Sequence, residues 1–242
     1  MNHSYGLQLY SVRDFTEKDL AATLKKVADI GYKSVEFAGF FGHSAEEVRA
    51  MLDEYGLTCA GTHSGWEELR PTEIMETIRF HKILGTRNYV LPGADLDTLE
   101  KIDEFAGVMN YAKPILEAEG IRLAYHNHSD EFYLRPWGST IHSELEKRLI
   151  CDFEIDTYWV WNADADPLQT LERLKDRVHI IHLKDGQKGG IGCALGEGAA
   201  PVKAVRDKAA SMGISMIVES EGLNPDGLAE VGRCMAYLTS ID

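Results

Sequence analysis

The chain has 242 residues, with 25 Lys plus Arg against 39 Asp plus Glu, which gives a formal net charge of −14 at pH 7. This acidic balance argues against a nucleic-acid partner, because Lys and Arg supply most of the affinity for phosphate backbones. With 44% hydrophobic and 26% charged residues, the composition is that of a globular protein and excludes the disordered and fibrous classes.

The N-terminal segment and the cysteines indicate a cytoplasmic protein. Residues 1–6 show no basic region followed by an apolar run, and no stretch approaches the roughly 18 uninterrupted apolar residues of a membrane span. The cysteines stand far apart without Cys-x-x-Cys spacing, so we expect buried, reduced thiols. We therefore predict no membrane partner.

Short runs rich in β-branched and aromatic residues recur along the chain and predict strands. There are eight such runs: residues 6–10, 34–37, 58–62, 88–91, 122–126, 150–155, 179–183 and 215–218. Helical patterns separate them. In residues 19–28, for example, Leu20, Leu24 and Val27 share one face at helical spacing.

Glycines mark the predicted boundaries between helices and strands. Glycine enters the left-handed conformation after a helix without steric cost, and it stands at five such places: Gly31, Gly56, Gly85, Gly120 and Gly213. Eight βα units of about 30 residues predict an α/β protein with one (β/α)8 TIM barrel spanning residues 1–242 as a single domain. A doubly wound open sheet is the alternative, but no Gly-rich phosphate turn follows the first predicted strand.

Metal-binding residue types gather where the later strands end. In a barrel the functional groups lie at the C-terminal ends of the strands, and strands six, seven and eight end in residues 156–159 (DTYW), 182–185 (HLKD) and 219–221 (ESE). Strand five ends in His126, and Glu131 follows in the next loop. Carboxylates that converge at one mouth repel each other unless a cation binds them. Mixed oxygen and imidazole ligands suit one divalent ion such as Mn, Mg, Co or Zn, which would act as a Lewis acid on a substrate carbonyl.

Several sequence fragments, in their order on successive strands, carry a family resemblance. They are residues 7–13 (LQLYSVR), 31–39 (GYKSVEFAG), 125–128 (YHNH) with 131–132 (EF), 156–159 (DTYW), 182–185 (HLKD), 196–198 (GEG) and 218–219 (VE). The sequence resembles the xylose isomerase-like sugar phosphate isomerase/epimerase family, a TIM-barrel superfamily that also contains endonuclease IV. The resemblance covers essentially the whole chain.

The resemblance implies one divalent metal held by Glu, Asp, His and Glu from strands five to eight. Asp156, His182 and Glu219 match the last three positions. At strand five we favour Glu131 as the metal ligand or catalytic base. His126 is its rival, because His126 falls in the register of the first metal glutamate. Glu219 would exchange a proton across a metal-stabilised cis-enediolate, with Glu131 or His126 as the second base.

Substrate contacts are expected from five residues: Arg13, His63, His128, Trp159 and Lys184. Trp159 stands where better-known epimerases place a histidine, and its ring would stack on a sugar face, with core packing as the alternative. The expected partner is a small sugar, and by analogy with relatives the chain would form a homo-oligomer.

The leading functional hypothesis is a metal-dependent isomerase or epimerase of a small sugar or keto-sugar. A lyase or dehydratase that acts on keto-inositol or 3-keto-glycoside substrates through the same metal site is the alternative. An endonuclease acting on abasic DNA is disfavoured by the charge of −14 and by too few metal ligands.

Overall fold

The computed structural model describes residues 3–242. Its eight parallel strands close into a barrel in which each strand pairs with its neighbours in the sequence and β8 pairs with β1. The strands are β1 (Tyr5–Gln8), β2 (Ser34–Phe37), β3 (Thr58–His63), β4 (Asn88–Leu91), β5 (Arg122–His126), β6 (Asp152–Asp156), β7 (Val178–Leu183) and β8 (Ser215–Val218). The predicted (β/α)8 TIM barrel is confirmed.

Helices connect consecutive strands and surround the barrel. In the described part of the chain they are α1 (Arg13–Thr16), α2 (Leu20–Ile30), α3 (Ala45–Tyr55), α4 (Ile74–Leu84), α5 (Leu99–Ala118), α6 (Ile141–Arg148), α7 (Thr157–Asn162), α8 (Pro167–Arg173), α9 (Val202–Met212) and α10 (Gly227–Ile241). Three short 3-10 helices lie in loops at Leu9–Val12, Trp66–Leu69 and Asp130–Phe132. Of the helices in residues 3–242, none is both long and apolar enough to cross a bilayer.

The predicted boundaries hold at most elements and fail at the first strand. Gly31, Gly56, Gly85 and Gly213 close α2, α3, α4 and α9 with positive φ, and Gly120 follows α5 in the same way. The prediction that the first strand reaches residue 10 is wrong. The side chain of Gln8 accepts a hydrogen bond from the backbone N–H of Tyr10 at 3.0 Å, and this turns the chain into a 3-10 helix.

Alternation along the strands places the main apolar core on one face and brings carboxylates to the other, inward face. In β6, Phe153 and Ile155 belong to the buried hydrophobic core, whereas Glu154 and Asp156 alternate with them and therefore point to the opposite face. Glu154 and Glu36 are both fully buried. The interior below the mouth thus contains carboxylates, where branched apolar side chains are usual.

A glycine in β3 makes room for one of these carboxylates. A Cβ atom at Gly61 would lie 2.6 Å from Oε1 of Glu36, which is far inside van der Waals contact. A glycine is therefore needed at residue 61, because any larger side chain would collide with Glu36.

Gly61→Ala is expected to lower the free energy of unfolding by about 1–3 kcal/mol, because overpacking must displace Glu36 or β3. The matched control is Gly107→Ala within α5, where a Cβ meets open space and the change should stabilise by about 0.5–1 kcal/mol. Denaturant unfolding of both variants measures the difference. Equal stability of Gly61→Ala and the unchanged chain would show that the interior is not tightly packed here.

Candidate functional site

Four side chains converge at the mouth of the barrel, one from the end of each of the strands β5 to β8. They are His126, Asp156, His182 and Glu219, and each offers one ligand atom within 4.8 Å of the other three. His182 Nδ1 lies 3.4 Å from Glu219 Oε2 and 3.8 Å from Asp156 Oδ2, and His126 Nε2 lies 3.8 Å from the same Asp156 oxygen. All four are buried. We call this set the mouth cluster.

Backbone pairing and one asparagine set the position of Asp156. Asp156 pairs in register with His182 of β7. From the other side, Asn127 Oδ1 accepts the N–H of Asp156 at 3.2 Å, and Asn127 Nδ2 donates to the Asp156 carbonyl at 3.3 Å. Oδ1 of Asp156 caps α7 by accepting the N–H groups of Tyr158 and Trp159. Its Oδ2 is left to face the mouth cluster.

Several atoms of the mouth cluster are buried without a hydrogen-bond partner. Among the described residues these include both ring nitrogens of His126, Oδ2 of Asp156 and Nδ1 of His182. Buried polar atoms are nearly always satisfied, because an unpaired one costs about 1–3 kcal/mol. Two imidazoles and two carboxylates with free lone pairs form a donor set that a divalent metal ion would satisfy. The residues present therefore fit the metal that the fold implies.

A second layer of charged groups lies against the opposite edge of His182. Its Nε2 is 2.7 Å from Glu36 Oε2 and 3.4 Å from Glu154 Oε2. His63 Nε2 contacts the same two carboxylate oxygens at 3.4 and 2.8 Å, and Gln8 Nε2 donates to Glu36 Oε2 at 2.9 Å. If Nε2–H donates to Glu36, deprotonation of His182 at Nδ1 would leave that nitrogen free to bind an ion in the mouth cluster.

The pKa values in the mouth cluster follow from burial and from the neighbouring charges. Burial raises the pKa of Asp156 to about 7. Burial would lower the pKa of His182, but the charges of Glu154 and Glu219 raise it well above its ordinary value. For Glu219, Lys184 and His182 outweigh burial and hold the pKa well below its usual range. A bound metal ion would replace the protons of Asp156 and His182, because metal ligands bind in their deprotonated forms.

Lys184 is a buried cation beside the mouth cluster. Its side chain is 0% exposed, and Nζ lies 3.0 Å from Glu219 Oε2, 2.9 Å from Glu221 Oε1 and 3.9 Å from Asp156 Oδ2. Nζ is also 4.4 Å from the ring centroid of Trp159. Burial would lower the pKa of Lys184, but these carboxylates raise it, so the group stays charged.

A cavity of about 490 Å³ opens above the mouth cluster, a size typical of small-molecule sites. The structure brings three of the five predicted substrate contacts, His63, His128 and Trp159, into its wall. The complete lining is Tyr10, Ala38, His63, Pro92, His126, His128, Trp159, Glu219 and Glu221. We call this cavity the mouth pocket.

Three predicted site residues, Glu131, Arg13 and Lys184, neither belong to the mouth cluster nor line the mouth pocket. Glu131 is buried outside the mouth cluster, where Oε1 accepts the Tyr125 hydroxyl at 2.8 Å and Oε2 accepts the backbone N–H of His128 at 2.9 Å. Arg13 does not line the mouth pocket. Its guanidinium lies 4.3 Å from the Tyr10 ring centroid and donates to the carbonyl of Tyr10. At strand five, the side chain that reaches the mouth cluster is that of His126.

Comparison with known proteins agrees with the barrel fold. A family model described as a xylose isomerase-like TIM barrel matches residues 24–238. The chain belongs to this family. Within the barrel family, the crystal structure of a sugar phosphate isomerase/epimerase from Parabacteroides distasonis superimposes with a TM-score of 0.83 and 25% identity, covering 98% of both chains.

Two other relatives carry the names of enzymes. The structure of an L-ribulose 3-epimerase has a TM-score of 0.72 and 15% identity, covering 99% of this chain and 94% of the epimerase, so it shows the fold alone. An inosose dehydratase of Geobacillus kaustophilus is 22% identical over 186 residues, or 67% of this chain. The chain spans 60% of the length of that dehydratase.

Sequence reasoning missed Glu154 and gave Glu221 no role. Glu154 lies two residues before Asp156 on β6. Glu221 lies two residues after Glu219, just beyond the end of β8. The period of two that aligns side chains on one face of a strand was the signal that could have identified them.

Glu36→Gln is expected to weaken binding of a divalent metal about 10–100-fold, because it removes the carboxylate that orients His182. Isothermal titration calorimetry of metal-free protein with Mn²⁺ measures the change in affinity. The control is Glu131→Gln, which should stay within about threefold of the unchanged chain because Glu131 does not reach the mouth cluster. Loss of metal in Glu131→Gln alone would instead make Glu131 the ligand.

Proposed function

We propose that this chain is a divalent-metal-dependent isomerase or epimerase of a small sugar or keto-sugar. One observation carries the proposal: four buried side chains converge beneath an open pocket of ligand size, and three of them, His126, Asp156 and His182, have buried polar atoms without a hydrogen-bond partner. The thiols of Cys59, Cys151 and Cys234 are free and buried, and that of Cys193 is free, which supports a reducing compartment such as the cytoplasm.

The proposed metal ligands are His126, Asp156, His182 and Glu219. His126 replaces Glu131 in this set, because both oxygens of Glu131 are already hydrogen-bonded away from the mouth cluster. The donor set suits Mn, Mg, Co or Zn. When bound, such an ion supplies Lewis-acid polarisation of a substrate carbonyl oxygen, which makes the neighbouring C–H bond more acidic.

Proton movement is assigned to groups that face the mouth pocket. Glu219 is the proposed base, because its pKa is held low and the carboxylate is ionised at neutral pH. His128 faces the same pocket, and burial lowers the pKa of its imidazole, so it is neutral and able to accept or return a proton. Glu131 positions His128 by accepting its backbone N–H. The Trp159 ring gives the pocket a flat apolar wall on which a sugar ring can stack.

A lyase or dehydratase is the second candidate, and the match to an inosose dehydratase favours it. Both reactions begin with removal of a proton next to a carbonyl group. In the lyase a β-substituent then leaves and takes up the proton that Glu219 has removed from carbon. In the isomerase or epimerase the proton returns to carbon.

Glu219→Gln is expected to lower kcat by about 10²–10⁴-fold, because an amide cannot accept the proton. Turnover is measured with free ketoses and with a 3-keto-glycoside in D2O, followed by NMR. Deuterium in an isomerised product supports the isomerase, and release of the aglycone or of water supports the lyase. The matched control is Glu104→Gln, an exposed carboxylate on α5, which should leave turnover unchanged. Unchanged turnover in Glu219→Gln would contradict both candidates.

A further inference from the structure

The wall of the mouth pocket carries negative charge and no strong cation. Among the residues that line it, the ionisable groups are the carboxylates of Glu219 and Glu221 and the imidazoles of three histidines, and no Lys or Arg is present. Phosphate groups are usually held by Arg, Lys or backbone N–H groups at a helix N-terminus. The pocket wall therefore lacks the side chains that recognise phosphate.

The two cations nearest to the pocket are already engaged. Lys184 Nζ is held between Glu219 Oε2 and Glu221 Oε1 at 3.0 and 2.9 Å, with no exposed side-chain surface. Arg13 donates to the carbonyls of Tyr10 and Glu221 at 2.9 and 3.2 Å, and its guanidinium lies 4.3 Å from the Tyr10 ring centroid. Neither group can turn toward a ligand without leaving its partners.

His63 does not supply free positive charge either. Its Nε2 is already paired with Glu154 at 2.8 Å and Glu36 at 3.4 Å. Around Lys184, the three carboxylates of Asp156, Glu219 and Glu221 exceed one ammonium by two negative charges. A divalent ion in the mouth cluster would cancel that excess and leave nothing to balance an anionic ligand.

We propose that the mouth pocket accepts uncharged keto-sugars and excludes phosphate esters and sugar acids, and that Glu221 determines this selectivity. Glu221 contributes in two ways. Its carboxylate binds Lys184 and holds that ammonium in place. The same carboxylate, 19% exposed, faces the pocket, where it can accept hydrogen bonds from sugar hydroxyls and repel anions. Tyr10 and Trp159 offer apolar surface to a neutral ring. The inference rests on the proposed function, since it names the substrate class of the same site.

The test compares a neutral ligand with its phosphorylated form in one protein. D-fructose and D-fructose 6-phosphate are titrated by calorimetry into Mn²⁺-loaded protein, with Glu221→Gln, Glu221→Asp and the surface control Glu104→Gln alongside. In the unchanged chain, the phosphate ester should bind at least about tenfold more weakly than the free ketose, because like charges at a binding site oppose association. Glu221→Gln should narrow this ratio at least about tenfold, because it removes a negative charge from the pocket wall and one of the carboxylates that hold Lys184. Glu221→Asp and Glu104→Gln should preserve the ratio.

Each outcome supports or overturns the proposal. Tighter binding of the ester by the unchanged chain overturns it, and so does an unchanged ratio in Glu221→Gln, provided that circular dichroism shows the variant folded. If the unchanged chain binds neither ligand, a gain of ester binding in Glu221→Gln supports the role of Glu221, and no gain overturns it. Charge selectivity without turnover of any ketose would uphold this inference while refuting the proposed reaction.

Discussion

The structure depends on one imidazole that is shared between two pairs of carboxylates. His182 directs Nδ1 toward Asp156 and Glu219 and Nε2 toward Glu36 and Glu154, and its ring is fully buried. Four carboxylates cannot occupy a dry interior without positive charge close by, because desolvation costs several kcal/mol for each unpaired ion. A protonated His182 meets this need in part. A metal ion bound to Nδ1 would neutralise the negative charge of Asp156 and Glu219 in place of the His182 proton. The hydrogen bond to Glu36 would keep the ring in place.

The barrel holds these charged side chains in position. Parallel pairing brings Asp156 and His182 into register, and Asn127 ties the end of β5 to that of β6 through two hydrogen bonds. The outward faces of the same strands pack against helices, so the apolar core lies outside the barrel and the polar groups inside. Gly61 leaves the space that the Glu36 side chain occupies. Stability and site geometry therefore come from alternate residues of the same strands.

Periodicity was enough to predict the fold, and the family resemblance added three residues of the mouth cluster. Alternating helical and strand patterns, with glycines at the helix ends, predicted the barrel, and the ends of strands six to eight pointed to Asp156, His182 and Glu219. The roles of the loop residues could not be predicted, because they depend on how short helices turn. The 3-10 helix Asp130–Phe132 folds Glu131 back onto Tyr125 and the backbone of His128. Similarly, the turn at Leu9–Val12 places Arg13 against the Tyr10 ring and out of the pocket wall.

The central claim is that the mouth cluster binds one divalent ion through His126, Asp156, His182 and Glu219. Anomalous diffraction from crystals soaked in Mn²⁺, recorded at the manganese edge, tests it directly. The account predicts one strong anomalous peak within bonding distance of a ligand atom from each of these four side chains. A peak coordinated by Glu131 in place of His126, or no peak between the four side chains at saturating Mn²⁺, would contradict it.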